Sequence, residues 1–181
     1  RFNAAIRKVR EMIHSNELGK IFLVKLTWTN IEPFFMTLDI LFDLAPHPFD
    51  IVNFIFGKSP EEIACIGEVF RKPFGEEAAF VNAKIGHILI NLEISWITPE
   101  KTRRLVVVGD KKTVFVDALQ QKIKVFNNQS NQYYDLELPA ADALKEELKH
   151  FLECVDKKEI EFADGEVGAE IVRLIEIAKE S

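Results

Sequence analysis

The segment ILINLEISW, from Ile88 to Trp96, places a bulky apolar side chain at every second position. Successive side chains of a β-strand point to opposite faces of its sheet, so this spacing predicts a strand with one buried face. The segment from Ile21 to Thr29 has the same period. Its alternate positions hold Phe22, Val24, Leu26 and Trp28. Both segments are therefore expected to be strands that bury one face in a common core.

Further strands and helices follow from turn residues and apolar spacing. Between Glu62 and Leu138, several strands are predicted between turns at Pro73-Phe74-Gly75, Gly86-His87, Gly109-Asp110 and Asn127-Asn128. Helical spacing recurs at Ile6, Val9 and Ile13 and from Leu38 to Phe56, where Gly57 ends the helix. It recurs again in two late stripes: Leu144, Leu148, Phe151, Leu152 and Val155, then Val167, Ile171, Val172 and Ile175. Strands in the middle with helices at both ends predict an α+β fold, an open and mostly antiparallel β-sheet with helices packed on one face.

Composition limits the class of protein. The 181 residues, 48% of them hydrophobic, suit one globular domain spanning residues 1–181. A net charge of −6 with no basic stripe argues against a nucleic-acid partner. No apolar run approaches the ~20 residues that span a bilayer, and nothing resembles a signal peptide. Cys65 and Cys154 match no metal spacing, which favours buried free thiols and a cytoplasmic location.

The glycines do not form a nucleotide-binding motif. None of the eight belongs to G-x-G-x-x-G or to G-x-x-x-x-G-K-[ST], and no βαβ unit opens the chain. The sequence therefore predicts no dinucleotide-binding residues in this domain.

The segment from Leu41 to Asp50 carries the chemistry. Asp43 and His47 lie four residues apart among apolar neighbours. Histidine transfers protons near neutral pH, and a nearby carboxylate can fix its tautomer and stabilise its charged form. A helix cap at Asp43 and a packed histidine are the structural alternative. Pro48 would clash with the carbonyl of Leu44 in a straight helix, so two geometries remain open: a kinked helix, or a new helix that begins near Ala45 with Asp43 close to its N-cap.

Several motifs together resemble a known family. They are Arg1-Phe2-Asn3 before an amphipathic helix, Glu17 to Ile21, the D-x-x-x-H of Asp43 and His47 continuing to Asp50 and Gly57, Ser95 to Arg103, Val107-Val108-Gly109, Glu147 to Phe151, Asp164-Gly165 and Ala178 to Ser181. In this order they resemble the C-terminal domain of the glucose–fructose oxidoreductase/inositol dehydrogenase family. The segment from Ser95 is similar to the branch that includes UDP-N-acetylglucosamine dehydrogenases acting at the sugar's 3-hydroxyl.

The resemblance implies half of an NAD(P)-dependent oxidoreductase. An N-terminal Rossmann domain, absent from this chain, would bind NAD or NADP and contribute a lysine to the site. This domain would bind a sugar or nucleotide sugar and act on a secondary hydroxyl. By the same resemblance His47 is the catalytic general acid/base, and Asp43 orients it or contacts the substrate.

Other polar residues are weaker candidates. Asn3 could reach the substrate cleft or simply cap the first helix. Lys101 and Arg103 could bind a phosphate of a nucleotide sugar or act as strand or interface charges. Asp39 and Asp50 flank the site and are expected to support it or to be solvated. Two carboxylates with one histidine are too common a combination to predict a metal.

The sheet face opposite the helices is expected to form a subunit interface in a dimer or tetramer. Its apolar residues would come from Phe22, Val24, Trp28, Ile90, Ile94 and Trp96 or from the alternating set. The alternative to an enzyme is a non-catalytic family member that serves binding or oligomerisation, with Asp43 and His47 retained as structure.

Overall fold

A computed structural model describes residues 1–31, 39–71, 75–139, 141–160 and 164–181. The predicted turn at Pro73-Phe74 and the start of the predicted helix at Leu38 lie outside these residues. The helices are α1 (Ala4–His14), α2 (Ile40–Asp43), α3 (Pro46–Phe56), α4 (Ala143–Lys157) and α5 (Gly165–Glu180). The strands are β1 (Ile21–Ile31), β2 (Glu62–Glu68), β3 (Ala78–Ile85), β4 (Ile88–Ser95), β5 (Ile97–Gly109), β6 (Lys112–Asp117), β7 (Lys122–Asn127) and β8 (Gln132–Leu136).

All eight strands belong to one open sheet with the order β2-β3-β4-β1-β5-β6-β7-β8. Strand β1 lies near the centre, where it pairs in parallel with β4 and antiparallel with β5. Every other ladder in the described part of the sheet is antiparallel. Helices α1, α3 and α5 pack side by side, with α1 against β6 and α5 against β2. The predicted α+β fold with a mostly antiparallel sheet is confirmed.

The period-two patterns identify the face that the helices cover. Ile90, Leu92, Ile94 and Trp96 are buried, as are Val24, Leu26 and Trp28. The prediction was wrong for Phe22, which is exposed. The pairing of β1 with β5 shifts register between Ile21 and Leu23, so Phe22 lies in an irregularity that removes it from the buried alternation.

The opposite face of the sheet is open. Five of the six residues first considered for it are buried on the helix side: Val24, Trp28, Ile90, Ile94 and Trp96. That expectation is corrected in favour of the alternating set, because pleating places neighbouring side chains on opposite faces. Exposed apolar members of the alternating set are Leu23, Ile66, Phe80, Leu89, Phe115 and Tyr133.

The helices differ in how much they bury. Helix α1 begins at the predicted Asn3 cap and buries Ala5, Ile6, Val9 and Met12. Helix α5 buries Ile171, Leu174, Ile175 and Ala178, whereas Val172 from the predicted stripe is exposed. Helix α4 buries none of its residues. Its amphipathic pattern predicted the helix correctly, yet the core of this domain does not cover its apolar stripe.

Cys65 and Cys154 are free thiols, as expected, but both are half-buried where burial was predicted. Burial is the largest cause that raises the pKa of the Cys65 thiol. Within the described residues, no helix combines the length and apolar character needed to cross a membrane.

Candidate active site

The helical segment around His47 is divided in two. Helix α2 ends at Asp43, and α3 begins at Pro46 after Ala45 at its N-cap. Proline is tolerated in the first turn of a helix because the N–H groups there have no partner within the helix. Of the two geometries left open by the sequence, the new helix beginning after Ala45 is observed, but Asp43 does not cap it. Gly57 ends α3 in a left-handed conformation with φ 68°.

The carboxylate of Asp43 is held by the sheet. Trp96, fully buried just beyond β4, donates from Nε1 to Oδ2 of Asp43 over 3.0 Å. The backbone of Trp96 is fixed in turn, because its N–H donates to the carbonyl of Glu77 over 2.8 Å. Its own carbonyl accepts from Nη2 of Arg71 over 3.3 Å. Asp43 is therefore anchored independently of the helix that carries His47.

His47 is exposed in the first turn of α3. Its pKa is lowered from the usual 6.5. The largest cause is the partial loss of water around the ring, and the next is the positive charge of Arg103. The carboxylates of Asp43 and Asp50 oppose these effects without reversing them. At neutral pH the imidazole is therefore predominantly uncharged, which is the form that can accept a proton.

Arg103 on β5 is a fixed cation beside this histidine. Its Nη1 donates to the carbonyls of Thr29 over 2.8 Å and Thr102 over 2.9 Å. Its Nη2 donates to Oδ1 of the buried Asn30 over 2.7 Å. The guanidinium carbon also lies 5.7 Å from the centroid of the Trp28 ring. This guanidinium is held in place before any ligand arrives.

Lys101 lies on β5 two residues before Arg103 and is exposed. The pairing of β1 with β5 shifts register between Thr29, opposite Thr102, and Ile31, opposite Ile97, so Lys101 lies in an irregularity of the ladder. Lys101 is therefore close to Arg103 along the chain, but its side of the sheet does not follow from the alternation.

Asn3 is engaged at the start of α1. Its Oδ1 accepts from the backbone N–H of Ala5 and of Ile6, and its Nδ2 donates to the carbonyl of Ala118 over 2.9 Å. Asn3 is therefore the N-cap of α1, and it also links this helix to the residue that follows β6.

The two flanking carboxylates are also engaged within the chain. Asp50 forms an ion pair with Arg1, whose Nε is 2.8 Å from Oδ1. Asp39 caps α2 by accepting from the N–H of Phe42 over 3.0 Å, and it contacts Lys179 of the last helix. Both side chains thereby help to fix the helices around His47.

Sequence reasoning missed two supporting residues, Trp96 and Asn30. The period-two spacing predicts a core position for Trp96, and the sequence gives no separate signal for its indole N–H. Asn30 did leave a trace, because it continues the buried alternation of Val24, Leu26 and Trp28 with a polar side chain. A buried amide at such a position needs a partner, and Arg103 is that partner.

The arrangement is suited to proton transfer. It combines an exposed neutral imidazole, an anchored carboxylate and a fixed guanidinium. Among the described residues, no three His, Cys, Asp or Glu side chains lie together as possible metal ligands.

Comparison with known proteins identifies the family. The family model "Oxidoreductase family, C-terminal alpha/beta domain" matches residues 10–181. The chain belongs to this family. It is the glucose–fructose oxidoreductase/inositol dehydrogenase family that the motifs resemble, so the resemblance is confirmed.

Individual relatives are distant. The chain is 24% identical to myo-inositol 2-dehydrogenase of Thermotoga maritima, and the match covers 100% of this chain and 59% of that enzyme. A structure of UDP-N-acetylglucosamine 3-dehydrogenase from Acidithiobacillus ferrooxidans matches with a TM-score of 0.82 at 18% identity, covering 97% of this chain and 59% of the other. An Agrobacterium radiobacter oxidoreductase in complex with NAD+, L-tartaric acid and magnesium matches with a TM-score of 0.82 at 18% identity, covering 100% and 60%. The structural matches establish a common fold, and the chain spans about three fifths of the length of these relatives.

Proposed function

We propose that this chain is the substrate-binding and catalytic half of an NAD(P)-dependent dehydrogenase that oxidises a secondary hydroxyl of a sugar or nucleotide sugar. The observation that carries the proposal is the neutral, exposed imidazole of His47 beside an anchored Asp43 and a fixed Arg103. The names of two relatives support the substrate class, since an inositol and a UDP-sugar both present secondary hydroxyls.

In this proposal His47 removes the proton of the reacting hydroxyl while the carbon that bears it gives up a hydride. The developing imidazolium is stabilised by the negative charge of Asp43, which the Trp96 indole keeps in place. In the reverse direction the imidazolium returns its proton to the carbonyl oxygen. The chain's own contribution is therefore an oriented acid/base, worth roughly 10²–10⁴-fold in rate.

The hydride acceptor would be NAD or NADP bound by an N-terminal Rossmann domain of the parent protein. The residues of this chain fit that division, because no glycine-rich turn could hold a dinucleotide pyrophosphate here. What this domain offers instead is an exposed acid/base, His47. A reducing cytoplasm suits the two free thiols of the chain.

Substrate contacts are proposed for Arg103 and Lys101. A planar guanidinium that is already positioned can bind a phosphate or a hydroxyl with little further loss of entropy. The exposed Lys101 on the same strand adds a second positive charge, which suits the diphosphate of a nucleotide sugar. The side-chain amide of Asn3 is already bonded at both of its polar atoms, so its proposed role as a substrate contact has less support than that of the two basic residues.

The test is His47→Ala in the full-length protein, with turnover measured on inositol and UDP-sugar substrates. We expect kcat to fall by about two to four decades while the dissociation constant for NAD or NADP changes little. His87→Ala is the matched control, because His87 is an exposed histidine in the turn between β3 and β4. Wild-type turnover in His47→Ala would remove His47 from the chemistry and favour the structural alternative, in which His47 is a packed histidine. Absence of turnover in the wild-type protein on all these substrates would favour the non-catalytic alternative.

We further propose that copies of this domain pair through the open face of the sheet. The exposed apolar side chains on that face extend over six strands, from Ile66 on β2 to Tyr133 on β8. Two of their aromatic members lie close together, with the ring centroids of Phe115 and Tyr133 6.2 Å apart. A broad apolar face of this kind is commonly buried against a second copy, giving a dimer or tetramer.

A further inference from the structure

Helix α4 carries an apolar stripe that this domain does not cover. The stripe consists of Leu144, Leu148, Phe151, Leu152 and Val155, each between 56% and 64% exposed. At 100° per residue these five positions fall within an arc of about 100°, which is the width of a typical core-facing stripe. The other helices of 11 residues or more, α1, α3 and α5, bury four, six and four residues. Among the described helices of this length, α4 alone buries none.

The other sides of α4 are differently occupied. One flank meets the rest of the chain, where the ring centroids of His150 and Phe2 lie 5.3 Å apart. A charged side carries an ion pair between Lys149 and Glu153, 3.8 Å apart. The apolar stripe lies on neither of these sides. Helix α4 therefore contacts the rest of the chain through the side that carries His150, and its apolar face remains exposed. Exposed apolar stripes of this size on soluble domains mark interaction surfaces.

The start of the chain indicates what the stripe contacts. Phe2 packs on α4, while Arg1 donates to Asp50 over 2.8 Å and to Asn53 over 3.0 Å on α3, the helix that carries His47. Residues that precede Arg1 in a longer protein therefore leave this domain between α4 and α3. The family is that of a C-terminal domain, and the relatives have about two fifths of their length outside the match. That additional part is large enough to be a domain.

We infer that α4 is the docking helix for the N-terminal domain of the parent protein, whose apolar surface covers the stripe from Leu144 to Val155. Docking there brings the N-terminal domain next to α3 and so toward the exposed His47. That this domain is the cofactor-binding one rests on the proposed function. The docking itself rests on the stripe and on the position of the chain start.

The test is hydrogen–deuterium exchange of the amides of residues 143–157 in the full-length protein. Docking predicts slow exchange that does not change with protein concentration, because the contact is intramolecular. Leu148→Ser and Phe151→Ser should each accelerate exchange of this helix by about ten- to a hundred-fold, as expected for loss of one large buried apolar side chain. Val172→Ser is the control, since Val172 is an exposed apolar residue on α5, and should leave α4 unchanged.

The outcomes separate the occupants of the stripe. Fast exchange of α4 in the full-length protein would overturn the proposal. Protection that disappears on dilution would also overturn it, because the occupant would then be a second copy. Titration with NAD and NADP is run on the same samples. A full-length protein that protects α4 but binds neither nucleotide supports the docking and contradicts the proposed function.

Discussion

The indole nitrogen of Trp96 donates a 3.0 Å hydrogen bond to Oδ2 of Asp43. The donor is fully buried at the end of the central strand β4, whereas the acceptor closes the short helix α2. This bond therefore fixes the carboxylate relative to the sheet and not relative to α3. Because His47 belongs to α3, the distance between carboxylate and imidazole depends on how the two helices pack, and the charge of Asp43 can be changed without dismantling either helix.

Asp43→Asn should shift the pH dependence of activity. The amide oxygen of asparagine can still accept from Trp96, but the negative charge that raises the pKa of His47 is lost. The pKa of His47 then falls further, so the acidic limb of kcat/KM for alcohol oxidation moves to lower pH. Asp135→Asn, an exposed position on β8, is the control and should leave the profile in place. A shift toward higher pH would contradict the assigned role of Asp43.

Arg103→Met should move the acidic limb of the pH dependence of kcat/KM to higher pH, opposite to the effect of Asp43→Asn. The positive charge of Arg103 is the second largest cause of the lowered pKa of His47, after burial. Without this charge the pKa rises, and a larger fraction of the imidazole is protonated at a given acidic pH. The measurement is NMR titration of the His47 ring, which detects the shift independently of turnover. An unchanged titration would mean that the guanidinium does not act on His47.

Much of the fold could be predicted because it depends on local periodicity. The strands around Leu26 and Leu92 alternate cleanly, and each buries the face that the pattern indicates. Phe22 escaped the pattern because a shift in pairing between strands depends on the partner strand and not on the local sequence. The exposure of the α4 stripe could not be predicted either, since an amphipathic pattern indicates that a face is covered without identifying what covers it.

The candidate site was only partly predictable. The D-x-x-x-H spacing singled out Asp43 and His47, but their separation into two helices depended on where Pro46 would begin the second one. The anchor Trp96 lies between β4 and β5, and the anchor Asn30 lies on β1. Contacts between distant segments leave no periodic signal in the sequence, so these residues became visible only when the strands were assembled.

The open face of the sheet yields a test of assembly. Leu89 lies on the central strand β4 and is 53% exposed, next to Leu23 of β1 in the parallel ladder. Leu89→Asp places a charge in the proposed interface and should shift the protein from an oligomer to a monomer in light scattering at micromolar concentration. Leu119→Asp is the matched control, because Leu119 is 48% exposed in the turn between β6 and β7. A monomeric wild type would contradict the proposed interface.

Glu77 tests the support behind Trp96. Its carboxylate is fully buried and accepts from the backbone N–H groups of Phe70 and Arg71, and its Oε1 lies 2.8 Å from Nε of Arg71. Burial alone would raise the pKa of Glu77, but these donors outweigh it and lower the pKa below the usual 4.5. The stability that Glu77 contributes is therefore present above about pH 4.5 and is lost as the pH falls toward the lowered pKa.

Glu77→Gln should accordingly lower the free energy of unfolding at pH 7 by about 2–3 kcal/mol, because it removes the charge that pairs with Arg71. The loss is limited to this range because Arg71 is partly exposed and can regain some hydration. The difference from wild type should narrow as the pH falls below about 4.5, because the carboxylate of the unfolded chain becomes protonated there while the native carboxylate still holds its charge. Urea unfolding at both pH values measures the effect. Glu62→Gln is the control, because it breaks an exposed ion pair between Glu62 on the edge strand β2 and Lys84 on β3. It should lower the free energy of unfolding by less than about 1 kcal/mol. Equal stability of Glu77→Gln and wild type at pH 7 would show that this buried pair does not stabilise the sheet end that holds Trp96.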